Sequence, residues 1–231
     1  MKPRWGLWFG GVFALAMFAL LPIRLAVAGI ADVGFTARQA AGTIWYGRIG
    51  ELMYRDRRLG TFEAAVDPIA LLTGTVRMTL NRMDDPQGPL TGVLRSGGSV
   101  GVDTLDGRIG AAGLFGSIPL DAIEAQALTV RFKDGRCVRA DGRIKAILAT
   151  PIPGLASTEL AGAARCEGER IRFNLTAPSG QGGLEFYVTG QGQYRAWLRL
   201  ASVPPETGAA LAAAGFRQGG DGLIMSAEGR W

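Results

Sequence analysis

The sequence predicts a mainly β protein, with one N-terminal transmembrane helix followed by a predominantly antiparallel, long and curved β-sheet domain joined by short helices. Three observations carry that expectation. From Trp5 to Ile23 the chain holds no charged residue, with Lys2 and Arg4 before the run and Arg24 after it. Beyond it, apolar and polar residues alternate with period two in one segment after another, the mark of a sheet with one buried and one solvated face. Glycine supplies 35 of the 231 residues, about twice the usual ~7%, which suits tight turns and bulges rather than helices.

The uncharged run approaches the roughly 20 residues that cross a hydrocarbon core as a helix. Basic residues ahead of it hold the N-terminus in the cytoplasm and send the remainder across. A cleaved signal peptide is the competing reading, because Ala26-Val27-Ala28 has the small-x-small pattern of a cleavage site. The run exceeds the ~7–15 residues of a signal h-region, and Pro22 with Arg24 interrupts the approach to that site. A signal anchor over residues 1–28 is therefore favoured, with 29–231 as one exported domain. Cys137 and Cys166 suit an exported body, since an oxidising compartment such as the periplasm lets the pair close as a disulfide. Two buried free thiols are the alternative.

Along the exported part, Pro68–Leu72 reads as one or two helical turns ending at Gly74. Val76, Met78 and Leu80 then alternate with Arg77 and Thr79. Asp84-Asp85-Pro86 and Gly88-Pro89 mark a loop over 83–89 that, with another over 150–154, separates sub-regions of one sheet. Pro119 to Ala127 is expected to form a short amphipathic helix, with Asp121 and Glu124 early, where acids suit the helix dipole. Leu128, Val130 and Phe132 form the next strand and lead into Asp134-Gly135, the dipeptide of a type I′ hairpin. Asp141-Gly142 is a second turn signal, and 150–154, with two prolines, a loop. Ile171, Phe173 and Leu175 form another apolar face, as do Leu184, Phe186 and Val188 before the Gly190-Gln191-Gly192 turn. Tyr194, Ala196, Leu198 and Leu200 form the last clear one. Pro205 to Ala214, closed by Gly215, is the best capped helix.

Composition narrows the chemistry. With no histidine, the chain cannot build a Ser-His-Asp triad, a Cys-His pair or an HExxH zinc site, and two cysteines cannot form a four-thiolate centre. The net charge of +5 is concentrated before residue 29, where Lys2, Arg4 and Arg24 face no acid, so the rest is near neutral and lacks the one-sided basic footprint of a nucleic-acid binder. Gly97-Gly98-Ser99-Val100-Gly101 has no following Gly-Lys-Ser/Thr and fails as a phosphate loop. Asp84-Asp85 reads as turn chemistry, and Glu167 and Glu169 as solvated acids at a hairpin tip. Those two and Glu185 are the carboxylates by which a periplasmic hydrolase reading is tested. No catalytic, cofactor-binding or metal-ligating residue is expected.

Gly42-Thr43-Ile44-Trp45-Tyr46-Gly47-Arg48-Ile49, then Leu59-Gly60, then Val66-Asp67-Pro68-Ile69-Ala70-Leu71-Leu72-Thr73-Gly74, resembles the opening of the type II secretion system protein N family, also called general secretion pathway protein N. The motif positions are Gly42, Thr43, Trp45, Gly47, Pro68, Leu71, Leu72 and Gly74. Gly192-Gln193-Tyr194, Leu211, Gly215, Asp221-Gly222 and the final Gly229-Arg230-Trp231 resemble that family's ending. The resemblance implies an accessory, non-enzymatic component in the bacterial inner membrane, N-terminus cytoplasmic and β domain periplasmic. It also implies a contribution to the export of folded periplasmic proteins across the outer membrane, through contacts with the inner-membrane platform, protein C or the secretin. No cofactor is implied. For the residues themselves, Trp45 is expected in a strand core or edge, and Gly47 and Gly60 in turns. The alternative function is a membrane-anchored periplasmic lipid-handling protein with an apolar groove.

Overall fold

A computed structural model describes residues 3–24, 35–54, 57–83, 86–152, 155, 157–201, 203, 205–220 and 222–230. The Ala26-Val27-Ala28 pattern and Asp84-Asp85 lie outside the described residues. The chain forms two compact units, Met1–Pro89 and Leu90–Trp231. Their boundary falls at the end of the loop over 83–89, whereas the other separator expected from the sequence, 150–154, falls within the second unit.

The first unit opens with helix α1 (Pro3–Ala19). Strands β1 (Phe35–Gly42), β2 (Gly47–Tyr54), β3 (Arg57–Val66) and β4 (Val76–Met83) follow, each antiparallel to the next. Alternation decides the burial: Ile49, Leu52, Phe62, Ala64, Val66 and Met78 turn inward. Helix α2 (Pro68–Leu72) links β3 to β4, as expected. Its start is set by Asp67, whose Oδ1 accepts the Ile69 N–H at 2.9 Å and the Ala70 N–H at 3.3 Å, with Pro68 in the first turn where a missing N–H costs nothing. The buried Arg82 donates to the carbonyls of Gly88 (2.8 Å) and Leu59 (3.4 Å), tying down the chain after β4.

The second unit contains β5 (Leu90–Ser96), β6 (Val100–Gly110), β7 (Leu120–Lys133), β8 (Arg136–Leu148), β9 (Glu159–Glu167), β10 (Arg170–Thr176), β11 (Gly182–Thr189) and β12 (Gln193–Leu200) in sequential antiparallel order. A 3-10 turn (Pro205–Thr207) and helix α3 (Gly208–Ala213) then carry the chain over to a closing hairpin of β13 (Arg217–Gly219) and β14 (Gly222–Arg230). β14 lies beside β12 and β13 outside it. Ile171, Phe173, Leu175, Leu184, Phe186, Ala196, Leu198 and Leu200 are all buried on one face, as their alternation predicts. Phe115 and Ile118, from the segment between β6 and β7, and Leu211 of α3 belong to the same core cluster. At the β7–β8 turn, Asp134 and Gly135 have φ of 50° and 76°, the paired positive values that a type I′ turn requires.

Three sequence expectations are corrected. The segment from Pro119 to Ala127 is the first half of β7 and not a helix. Its helix-forming residues are a weak local preference, and hydrogen-bonded ladders to β6 on one side and β8 on the other override it. Asp141-Gly142 lies within β8. Gly142 (φ 108°) is needed there because a Cβ would come within 2.6 Å of the Ala127 carbonyl, where β7 bulges around Ala127 at φ 48°. Leu59-Gly60 likewise lies inside β3, opposite a register shift in β2.

The uncharged run is divided between a helix and the sheet. α1 stops at Ala19, and among the described residues no helix is long and apolar enough to cross a membrane. The cause is local, because a residue before proline is disfavoured in the helical region and Leu21 precedes Pro22. Instead of extending α1, Pro22 forms a bridge with Thr43 and Ile23 is fully buried. From Trp8 to Leu20 every side of α1 is exposed, including Trp8, Phe9, Phe13 and Leu15.

Candidate functional site

Two places concentrate the chemistry-bearing residues. The first is the solvent face of β10, β11 and β12, opposite the core. Register aligns Arg172 with Tyr187 and Arg195, and Asn174 with Glu185 and Trp197. Glu185 is buried and has every oxygen engaged: Arg172 Nη2 lies 2.6 Å and the Tyr187 hydroxyl 2.8 Å from Oε1, and Arg199 Nη1 lies 2.9 Å from Oε2. The Arg170 guanidinium stands 4.2 Å over the Tyr187 ring, whose edge meets Trp197 at 5.6 Å. Burial alone pushes the Glu185 carboxyl up. The Tyr187 hydroxyl and the Arg172 and Arg199 charges outweigh it and leave the group below its ordinary value. Burial and the Glu185 carboxylate both push the Tyr187 hydroxyl up. A carboxylate held ionised among cations serves poorly as a proton donor or acceptor near neutral pH. Of the other two acids weighed from the sequence, Glu167 pairs with Arg170 at 3.1 Å, and Glu169 sits in the exposed turn between β9 and β10. Glu167 also reaches Arg172 at 3.9 Å, so the Arg172 guanidinium stands between Glu167 and Glu185. The structure shows a polar lock joining three strands, which a distant-in-sequence cluster of Arg, Tyr and Glu does not reveal before the register is known.

This lock is testable by acid. A group whose folded pKa is depressed stabilises the fold above its unfolded pKa, and that contribution is lost as pH falls through the folded value. Glu185→Gln is expected to lower stability by about 1–3 kcal/mol near neutral pH, the scale of a lost charge-assisted hydrogen-bond set. The gap to the unsubstituted protein should close as the pH is taken below the ordinary glutamate range. Urea midpoints of both proteins across that range check it; a gap independent of pH would mean that the carboxylate's charge contributes nothing.

The second place is the junction between α1 and the sheet, where the Gly-Thr-x-Trp-x-Gly motif falls. Gly42 and Gly47 pair across the end of the β1–β2 hairpin, and Thr43 to Tyr46 form its loop. The Thr43 N–H donates to the Tyr46 carbonyl at 3.1 Å, and the Tyr46 N–H to Thr43 Oγ1 at 3.3 Å. Glycine is required at both ends. A Cβ on Gly42 (φ 94°) would lie 2.7 Å from the Tyr46 carbonyl oxygen, and one on Gly47 would lie 2.8 Å from the Thr43 carbonyl oxygen. Trp45 is half-buried. Its Nε1 donates to the Phe18 carbonyl at 3.1 Å, and its ring meets that of Phe18 at 4.7 Å. The Phe18 carbonyl, in the last turn of α1, thus takes the indole N–H as well as the Leu21 N–H at 3.4 Å. The stitching continues on both sides, with the Ile44 N–H donating to the Leu21 carbonyl (2.9 Å), Ile23 N–H to Gly42 (3.1 Å) and Val66 N–H to Ile44 (2.8 Å). Trp45 was expected in a strand core or edge; it caps a helix.

The Pro-x-x-Leu-Leu-x-Gly part follows directly. Pro68 opens α2, Leu71 is half-buried, and Gly74 (φ 71°) ends the helix in the left-handed region, while Leu72 is exposed. The C-terminal motif also closes a fold element: Tyr194 pairs with Gly229, whose missing side chain makes room for the tyrosine ring. Leu211 is buried and Gly215 has φ 99°. Asp221 and Trp231 lie outside the described residues. The expected disulfide is present between Cys137 and Cys166, with Cα atoms 5.5 Å apart. No group of His, Cys, Asp and Glu among the described residues is arranged to hold a metal ion.

Taken with the sheet, these closures define a β scaffold attached to a short apolar helix, in which the motif residues hold elements to one another. The family described as type II secretion system (T2SS), protein N, matches residues 34–225, more than four-fifths of the chain. The protein belongs to that family and is a component of the type II secretion system. No curated protein and no solved structure matches the chain.

Proposed function

We propose that the protein is an accessory, non-enzymatic component of the type II machine, held in the bacterial inner membrane by α1 with its β units in the periplasm. There it aids export of folded periplasmic proteins across the outer membrane by contacting the inner-membrane platform, protein C or the secretin. The observation that carries this reading is the family match over residues 34–225. Antiparallel sheets supply a mode of contact, since a strand edge accepts a partner's strand by main-chain hydrogen bonds. For the anchor, the support is a helix apolar on all sides whose side chains are exposed from Trp8 to Leu20, a pattern that water does not favour and lipid does.

The lipid-handling alternative asks for an apolar groove. In the second unit the apolar face is filled by Phe115, Ile118 and Leu211 of the chain itself. Two open clefts, about 550 and 460 Å³, carry polar groups such as Arg170, Tyr187 and Arg195 in one and Asn174, Glu185 and Arg199 in the other, and a third, about 470 Å³, runs over Ile144, Ala161 and Ala163 beside Gln126, Arg143 and Lys145. Affinity purification of the C-terminally tagged full chain from mild-detergent membranes, quantified against an untagged control, tests the choice. Platform proteins, protein C or secretin should be enriched. Stoichiometric lipid without any of them would replace this reading with the lipid-handling one.

A further inference from the structure

The end of the first unit nearest α1 carries exposed apolar side chains that the fold does not use. Tyr46, at the tip of the β1–β2 hairpin, is 70% exposed, and Ile69 and Leu72 of α2 are 73% and 87% exposed. They share one end of the sheet. Gly47 pairs with Ala64, so the hairpin tip and the β3–α2 connection run out side by side, joined by the Val66 N–H to the Ile44 carbonyl. The C-terminus of α1 is clamped to that same end through Phe18 and Trp45.

The length of α1 gives this patch an occupant. Its 17 residues rise about 25 Å, short of the ~30 Å of a typical hydrocarbon core. The residues that would complete the span are spent on the sheet, with Pro22 bridged to Thr43 and Ile23 buried. A helix too short by roughly 5 Å is accommodated by thinning the bilayer or by drawing flanking groups into the interface. Tyrosine and aliphatic side chains are suited to that depth. Arg24, exposed and within two residues of this junction, carries charge complementary to anionic headgroups, while Arg48 beside it is paired with Glu63 at 3.8 Å.

We propose that the end of the first unit bearing Tyr46, Ile69 and Leu72 is seated in the headgroup region of the bilayer that α1 enters, so that the sheet stands on the membrane. This rests on the anchor reading of α1. Gly42 to Gly47 is then the collar that fixes the sheet at the membrane surface, and Leu72 of the second motif is a lipid contact.

The test places a nitrobenzoxadiazole probe on single cysteines in the full chain, at Tyr46→Cys, Ile69→Cys or Leu72→Cys, with Phe13→Cys within α1 and Arg58→Cys at the opposite end of β3 as references. Each protein is reconstituted in phosphatidylethanolamine–phosphatidylglycerol vesicles with bromines at shallow or deep acyl positions. Probes at 46, 69 and 72 should be quenched more by shallow than by deep bromines, the probe at 13 more by deep ones, and the probe at 58 by neither. Quenching at 13 with none at 46, 69 and 72, which stay open to aqueous iodide, overturns the inference and leaves the anchor standing. Shielding of the three from iodide without bromolipid quenching also overturns it, and assigns the patch to a second copy of the chain. No quenching at 13 together with none at the three removes both the anchor and the inference.

Discussion

Phe186→Ala is expected to cost about 3–5 kcal/mol, the upper range for a buried aromatic truncated in a core that cannot collapse. Phe186 is buried and its ring stacks on Phe173 with centroids 4.4 Å apart and planes at 17°. On its other side it meets Phe115 at 5.1 Å, and Phe115 in turn stands edge-on to Tyr194 at 5.2 Å. These rings come from β10, β11, β12 and the segment between β6 and β7, so the cavity would be walled by elements fixed independently in a hydrogen-bonded sheet. Relaxation into it is resisted, and the transfer and cavity costs both remain. Phe186→Leu keeps most of the volume and should cost about 1–2 kcal/mol. Urea midpoints of the full chain in detergent separate the two. Equal midpoints for Phe186→Ala and the unsubstituted protein would mean that the ring cluster contributes no net stability.

The same residues explain how much of the fold was legible in advance. Ile171, Phe173 and Leu175 declare a strand because nothing but period two places three large apolar residues on one face of that segment. Asp134-Gly135 declares its turn because two successive positive φ values suit few other residues. Order in the sheet then follows from hairpins joined in sequence. Only β13 and β14 depart from it, after α3 has carried the chain past an edge. Ala122, Glu124 and Ala125 could not be read correctly, since their helical preference is intrinsic whereas the ladders that override it come from strands elsewhere in the sequence. Gly142 misled for a related reason: a glycine that admits a bulge in a neighbouring strand has the same local signature as one that makes a turn.

The site was visible as a pattern without its meaning. Gly42, Thr43 and Gly47 can be read as a tight connection, but the partner of Trp45 is the Phe18 carbonyl, 27 positions away. That contact exists only because Pro22 ends the apolar run early and turns Ile23 into the core. Reading the run as one continuous span hid the junction. Glu185 was weighed as a lone acid, and its role as the centre of an Arg172–Tyr187–Arg199 lock depends on registers across β10, β11 and β12.

Removing the disulfide is the second large effect expected. Cys137 lies near the start of β8 and Cys166 near the end of β9, a separation of 29 residues. The β8–β9 ladder runs from Ile147 opposite Glu159 to Arg143 opposite Ala163 and goes no further towards the cysteines. Beyond it, the bridge and a hydrogen bond from the Cys137 N–H to the Gly168 carbonyl (3.2 Å) hold the two strand ends together. Closing a loop of that size in the denatured chain corresponds to about 3.5 kcal/mol by chain entropy. The double variant Cys137→Ala/Cys166→Ala, which leaves no lone thiol, should therefore lose about 2–4 kcal/mol. Its urea m-value should rise as well, because an uncrosslinked denatured chain exposes more surface. The rise in m tells this mechanism from damage to the native strands, which would lower the midpoint with m unchanged. Thiol labelling of the denatured, unreduced protein supplies the control. Labelling at both positions would show that the bridge does not form, and the loss of stability assigned to it would have no basis.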